Sequence, residues 1–234
     1  MMLIDYLHNQ QQTLMEQLNN FYTSNGIHVY VDSPLSNEDI DLEDLVAQIE
    51  GRIPSHLLSE VEMMIVGWFD EFEERKINAF YKDGTLHVSN VQDNIADMKD
   101  DVIHEIAHSI EEPYGYEIYG DKKIENEFLR KRKYLHDVLW KMGHKIPLSV
   151  FMDTEYNEDL DMFLYEKIGY EKLSNIVEGI FLSAYAPTSL REYFATGFTE
   201  YYLDSNHNYL KKISPELYKK LSLLQKPEKL DNSI

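Results

Sequence analysis

The sequence predicts an α+β protein in which many helices accompany a small mixed sheet. Hydrophobic residues make up 43% of the 234 positions, as in folded globular chains. Apolar residues recur at helical spacing through most of the chain, whereas only a few short runs have the alternation or β-branched content of strands. We expect one domain over 1–234, with a helix-and-strand part over 1–60, the sheet and a central helix over 61–120, and a helical part over 121–234.

The first half of the chain alternates between helical and strand patterns. Apolar spacing predicts an amphipathic helix over 3–21, and alternation predicts a strand over 27–31. Ser36, with an acidic residue three positions later, resembles a capping box and predicts a helix that runs to Ile49. The apolar run over 63–69 predicts a buried strand, with a helix as the alternative.

An Asp83-Gly84 pair lies between two β-prone runs, 77–81 and 85–88. This arrangement predicts a β-hairpin directly before the central helix. Because an unpaired strand edge can bind an extended peptide, Thr85–Asn90 is the candidate docking strand. An ordinary interior hairpin is the alternative.

The second half is dominated by helical periodicity. Gly143 is expected to end a long charged helix, and Ser214-Pro215 is expected to open the last helix as N-cap and first residue. The helices predicted here cover 122–142, 159–167, 171–182, 191–203 and 214–224.

The most informative stretch is Val102–Glu112, which contains His-Glu-x-x-His. On a helix, His104 and His108 lie on one face and can offer imidazole nitrogens to a single ion. Zinc accepts such ligands together with a water. Glu105 projects at a different angle, where it can act on that water as a general base. The alternative is a buried helix whose histidines are satisfied by other protein groups.

A catalytic zinc site needs a third protein ligand. The position six residues after His108 is Tyr114, so a third histidine is absent there, and the chain has no cysteine. A carboxylate is therefore expected. Glu111 and Glu112 follow too soon on the same helix and are expected to form a solvated helix end, where Pro113 breaks the helix.

On the residues alone, two more distant carboxylates remain candidates for the third zinc ligand. Glu127 lies 19 positions after His108, on a helix crowded with basic residues. Glu192 lies 84 positions after His108, in an apolar and aromatic helix where a carboxylate needs a partner.

Two segments, 103–108 and 192–198, resemble the catalytic domain of the anthrax-toxin lethal-factor-like zinc peptidases, a group that includes the Pro-Pro endopeptidases. The resemblance implies a zincin fold of the gluzincin type, with an active-site helix and a C-terminal helical subdomain. It implies a Zn²⁺-dependent metalloendopeptidase in which Glu192 is the third ligand. It also implies that Tyr185, seven residues before Glu192, faces the scissile carbonyl through its hydroxyl.

The chain departs from this family at three places. Ala107 stands where the family often has glycine, and Thr196 stands where an acidic residue is common. The interval between the two segments is long, which implies an insertion within 121–175. No departure removes a ligand, but the alternative of a catalytically inactive binding or structural protein with the same fold stays open.

The charge restricts the expected partners. Acidic residues number 42 against 22 basic ones, a net charge of −20, which repels phosphate backbones and anionic lipids. We expect a basic or neutral peptide or protein substrate, and neither nucleic acid nor membrane as partner. The sequence shows neither a signal peptide nor a membrane span, so a cytoplasmic location is expected, with export by another route left open.

Overall fold

The computed structural model describes residues 20–226 and confirms the α+β class. A five-stranded mixed sheet is followed along the chain by a helix-rich region. The chain divides into two compact units, Met1–Ile110 and Glu111–Ile234. The boundary falls directly after the helix that carries the histidine motif. A single catalytic domain over 1–234 stays a prediction.

The sheet has both parallel and antiparallel pairs. Its strands are β1 (Asn20–Tyr22), β2 (His28–Val31), β3 (Met63–Gly67), β4 (Ala79–Lys82) and β5 (Thr85–Ser89). Their order is β1-β2-β3-β5-β4, in which β2, β3 and β5 run parallel while β1 and β4 lie antiparallel at the edges. The predicted hairpin joins β4 to β5, and its turn residues Asp83 and Gly84 have φ values of 48° and 80°. Positive φ at both central residues is typical of a type I′ turn, whose twist matches that of the two hairpin strands.

The prediction that Thr85–Asn90 is a peptide-docking strand is wrong. β5 pairs with β3 on one side and with β4 on the other, so an added peptide would find no open edge on it. The interior hairpin is confirmed for β5, and the edge on this side of the sheet belongs to β4.

Between residues 20 and 110, the described part of the first unit, the chain forms three α-helices and one short 3-10 turn. They are α1 (Leu42–Glu50), α2 (Asp70–Arg75), α3 (Ile95–Ser109) and the turn at Ser55–Leu57. The predicted start of α1 at Ser36 is wrong, because Asp41 is the N-cap and its carboxylate accepts a hydrogen bond from the N–H of Asp44. Ser36 instead accepts one from the N–H of Gln92 over 3.2 Å. The helix predicted over 3–21 lies outside the described residues, except that residues 20 and 21 belong to β1.

A large part of the core of the first unit lies on one face of the sheet. Two in-register rows of residues are buried there: Val29, Met64 and Leu86, then Val31, Val66 and Val88. Side chains of α1 and α3 meet this face around a small apolar cavity. Because α3 packs on β4 and β5, the sheet fixes the position of the motif helix.

All the regular elements in the described part of the second unit are helices. Its elements are α4 (Glu111–Tyr119), α5 (Lys123–Lys141), α6 (Leu148–Phe151), α7 (Glu158–Met162), a π-helix (Phe163–Gly169), α8 (Tyr170–Val177), α9 (Leu190–Leu203), α10 (Asn208–Ile213) and α11 (Pro215–Leu224). The long helices α5 and α9 confirm the predictions over 122–142 and 191–203. The short helices α4, α6 and α10 were not predicted. Within residues 20–226, no helix is both long and apolar enough to cross a bilayer.

A buried arginine connects α5 to the chain around the start of α9. Arg132 has no exposed surface, and its guanidinium donates hydrogen bonds to the carbonyls of Val150 and Asp153, each over 2.9 Å. The N–H of Leu190, the first residue of α9, donates to the carbonyl of Thr154 over 2.9 Å. This part of 121–175 therefore supports the helix that carries Glu192, while its origin as an insertion stays a prediction.

Candidate metal centre

The motif helix α3 is held by a cap at its start and by a buried face along its length. The Asn94 side chain accepts hydrogen bonds from the N–H groups of Ala96 and Asp97, over 2.8 and 3.0 Å. Such a cap satisfies N–H groups that the helix itself cannot pair. The apolar residues of α3 that are buried include Met98, Val102, Ile103, Ile106 and Ala107. The histidine motif therefore sits on a helix of fixed orientation.

His104, Glu105 and His108 form a cluster that can hold a metal ion. Each offers one ligand atom, and these atoms lie within 4.8 Å of one another. The imidazole rings have centroids 5.1 Å apart and planes at 74°, and all three residues are half-buried. Two imidazoles one turn apart suit a divalent ion bound at about 2 Å from each nitrogen. In residues 20–226 this is the single such group.

The Glu105 carboxylate is held by the edge of the sheet. Its Oε2 accepts a hydrogen bond from the main-chain N–H of Tyr81 in β4, over 2.9 Å. Residues along an antiparallel strand alternate between facing and not facing their partner strand, and the neighbouring Asn78–Ser89 pair is hydrogen bonded. The N–H of Tyr81 therefore points away from β5 and is available to Glu105.

Two further carboxylates lie one turn before the motif. Burial raises the pKa of Asp100. Burial, and then the charges of Asp100 and Glu105, raise the pKa of Asp101 to about 6, although a hydrogen bond from Gln92 over 3.3 Å opposes the rise. The sequence patterns above did not single out Asp100 or Asp101. Their spacing from His104 and Glu105, three or four positions along one helix, was the available signal.

Glu192 lies in the first turn of α9 in the second unit. Its N–H donates to the hydroxyl of Ser189 over 3.1 Å, so Ser189 is the N-cap of this helix. The residue is half-buried among neighbours that are mostly buried. Its role as third ligand stays a prediction.

Tyr185 lies in the turn that leads to α9. Its carbonyl accepts hydrogen bonds from the N–H and the hydroxyl of Thr188, over 3.0 and 2.9 Å. The Tyr185 side chain is 39% exposed, so it does not belong to the apolar core. Its role towards a substrate carbonyl stays a prediction.

Glu127, the other candidate ligand, has a structural role. It is 3% exposed, and its carboxylate accepts hydrogen bonds from the hydroxyl of Tyr193 and from the N–H groups of Glu216 and Leu217. Glu127 thus caps α11 in place of Ser214, whose hydroxyl accepts a hydrogen bond from Lys131. These bonds account for a buried carboxylate without any metal, and the choice of third ligand stays a prediction.

The chain after the motif differs from the solvated helix end that the sequence predicted. Glu112 is exposed as expected, but the Glu111 side chain is only 9% exposed and pairs with Arg191. The break falls at Ile110, the C-cap of α3. Pro113 is the third residue of α4. The N–H groups in the first turn of a helix have no acceptor within the helix, so the N–H that proline lacks is not missed there.

Comparisons with protein-family models, with curated proteins and with solved structures found no match to this chain. The fold and the site together define an α+β protein with a candidate metal-binding His-Glu-His group on a helix.

Proposed function

We propose that the protein is a zinc-dependent metalloendopeptidase of the lethal-factor-like type. The observation that carries the proposal is the cluster of His104, Glu105 and His108, whose ligand atoms lie within 4.8 Å of one another. The resemblance of segments 103–108 and 192–198 to that family supports it, as does the α+β fold with its motif helix packed on the sheet.

The donor set suits zinc. Cysteine is absent from the sequence, so the ligands must be imidazoles and carboxylates, which zinc accepts in catalytic sites with three protein ligands. We assign His104 and His108 as two ligands and Glu192 as the third. When bound, zinc would lower the pKa of a coordinated water towards about 7 and polarise a carbonyl.

Glu105 is the proposed general base. A carboxylate has two acceptor oxygens. The hydrogen bond from the Tyr81 N–H to Oε2 orients the Glu105 carboxylate and leaves Oε1 to accept a proton from water. Glu105 takes a proton from the water that attacks the peptide carbonyl and passes it to the departing amine. The C–N bond breaks, and the products are a carboxylate and a free amine.

Tyr185 is the proposed second donor to the oxygen of the attacked carbonyl. A single hydrogen-bond donor to such an oxyanion contributes roughly 3–4 kcal/mol in other enzymes. The exposed Tyr185 side chain is accessible to a substrate. The net charge of −20 favours a basic or neutral peptide over an acidic one.

A peptide-library digest tests this function. We expect the wild-type protein to cleave a subset of peptides, a chelator to stop cleavage, and added zinc to restore it. Absence of cleavage with zinc supplied would contradict the proposal and would favour a binding protein that keeps the fold without the chemistry.

A further inference from the structure

The segment 152–172 of the second unit, which runs from the end of α6 into α8, is strongly acidic. It has seven acidic residues and two basic ones, so 21 of the 234 residues carry −5 of the net charge of −20. The acidic residues are Asp153, Glu155, Glu158, Asp159, Asp161, Glu166 and Glu171. All are exposed except Asp161, which is half-buried. None of the ion pairs within residues 20–226 involves these carboxylates.

Large apolar side chains are exposed between these acids. Met152, Tyr156, Met162, Tyr165 and Tyr170 are 40% to 55% exposed. One exposed apolar residue is ordinary on a protein surface, whereas several together with a polar rim mark an interaction site. We call the exposed side chains of 152–172 the acidic surface.

The helical part of the acidic surface has one buried side and one exposed side. Leu160, Leu164 and Ile168 are spaced four positions apart and are 1%, 1% and 6% exposed. Met162 and Glu166 lie midway between them in sequence, which places both on the opposite side of α7 and the π-helix. An apolar group and a carboxylate are thus presented together. π-helices are rare and are frequent at functional sites.

Hydrogen bonds hold the acidic surface in place. The Asn157 side chain accepts a bond from the first turn of α7 over 2.9 Å, and the Tyr156 hydroxyl donates to Oδ2 of Asp161 over 2.8 Å. The buried guanidinium of Arg132 donates to the carbonyl of Asp153. Binding to a surface that is already ordered costs less conformational entropy.

We propose that the acidic surface docks an arginine-rich segment of a partner protein. A guanidinium binds carboxylates through paired N–H groups and stacks on aromatic rings, so it matches both the carboxylates and the tyrosines. The exposed methionines offer adaptable contacts to aliphatic side chains of the partner. Nucleic acid, anionic lipid and a second copy of this chain, with its own net charge of −20, would be repelled. The inference does not depend on the proposed peptidase activity.

The probe is a fluorescent peptide in which arginine alternates with leucine, compared with the same peptide carrying lysine in place of arginine. Fluorescence anisotropy measures both affinities at about 0.15 M ionic strength, with a chelator present so that cleavage cannot consume the peptide. We expect the arginine peptide to bind several-fold more tightly, because lysine supplies the charge without the planar stacking group.

Two matched double variants locate the binding. Glu166→Gln combined with Tyr170→Ser removes one carboxylate and one ring of the acidic surface. Glu112→Gln combined with Tyr116→Ser is the control, because it makes the same changes at the same spacing on exposed residues of α4. We expect about five- to tenfold weaker binding of the arginine peptide in the first variant and wild-type binding in the control.

No binding of the arginine peptide to the wild type would overturn the inference. So would equal affinity for the two peptides, or equal losses in the two variants, because the overall negative charge would then be the attraction. Self-association of the wild type that is lost in Glu166→Gln/Tyr170→Ser, measured by sedimentation equilibrium, would assign the surface to a second copy and overturn it as well.

Circular dichroism checks that the variants fold. Should the first double variant not fold, Glu166→Gln alone replaces it: about twofold or greater loss of affinity supports the inference, and unchanged affinity overturns it. Each of these outcomes leaves the proposed peptidase function as it stands, since binding is measured with the metal removed.

Discussion

The main-chain N–H of Tyr81 donates a hydrogen bond to Oε2 of Glu105, although the two residues lie 24 positions apart. The bond joins the edge strand of the sheet to the motif helix. It fixes the direction of the carboxylate that we propose as general base, and it depends on the register of the hairpin as well as on the helix.

Glu105→Gln tests the role of this carboxylate. Glutamine can still accept the hydrogen bond from Tyr81 through its carbonyl oxygen, so we expect zinc binding and folding to persist. Peptide hydrolysis should fall by about 10²–10⁴-fold, the usual contribution of a general base. The measurements are bound zinc and the rate of peptide cleavage. Glu112→Gln, at an exposed position, is the control and should keep its activity; undiminished turnover in Glu105→Gln would contradict the mechanism.

Glu192→Ala should change zinc binding, whereas Glu127→Ala should change the stability of the fold. Loss of Glu192 should abolish tight zinc binding while the metal-free protein stays folded. Loss of Glu127 leaves the Tyr193 hydroxyl and two N–H groups of α11 without their acceptor, which should lower the free energy of unfolding by about 2–4 kcal/mol. Zinc titration and chemical denaturation distinguish them. Zinc loss in Glu127→Ala with wild-type stability would restore Glu127 as the ligand.

Asp101 should make stability depend on pH. Its pKa is raised to about 6 from the ordinary 3.8, so the folded state favours the protonated carboxyl. The fold is therefore destabilised as pH rises from about 4 to about 6, and the full penalty, at most about 3 kcal/mol, is present above pH 6. Asp101→Asn should be more stable than the wild type at pH 7.5 and equal to it near pH 4. Denaturation of the metal-free proteins measures this; equal stabilities at pH 7.5 would contradict it.

Two helical glycines should respond differently to alanine. A Cβ at Gly197 in α9 would lie 2.8 Å from Cγ of Leu217 in α11, so Gly197→Ala should destabilise the protein by about 1–3 kcal/mol through overpacking. Gly115 in α4 has no heavy atom near the same position. Gly115→Ala should stabilise it by up to about 1 kcal/mol because alanine favours the helix. Thermal melting of both variants is the measurement, and equal shifts would refute the close packing of α9 on α11.

The parts of the fold that local patterns determine could be predicted from the sequence. The hairpin at Asp83-Gly84 follows from residues that accept positive φ, and the long helices α5 and α9 follow from sustained apolar spacing. The edge position of β4 could not be predicted, because strand order depends on contacts between segments far apart in the chain. The same holds for the start of α1, where Asp41 caps the helix and Ser36 bonds to Gln92.

The candidate site was predictable to a similar extent. The placement of His104 and His108 on one face follows from helical spacing alone, whereas the position of the Glu105 carboxylate also depends on the distant N–H of Tyr81. The low exposure of the Glu111 side chain could not be predicted from local patterns, because it depends on Arg191, 80 positions later. The structural role of Glu127 likewise depends on α11, a distant partner that no local pattern shows.

Zinc titration of the wild-type protein against His104→Ala and His108→Ala tests the central claim most directly. The account predicts one tightly bound zinc per wild-type chain and a large loss of affinity in each variant. No bound zinc in the wild type, or equal binding in all three proteins, would contradict it.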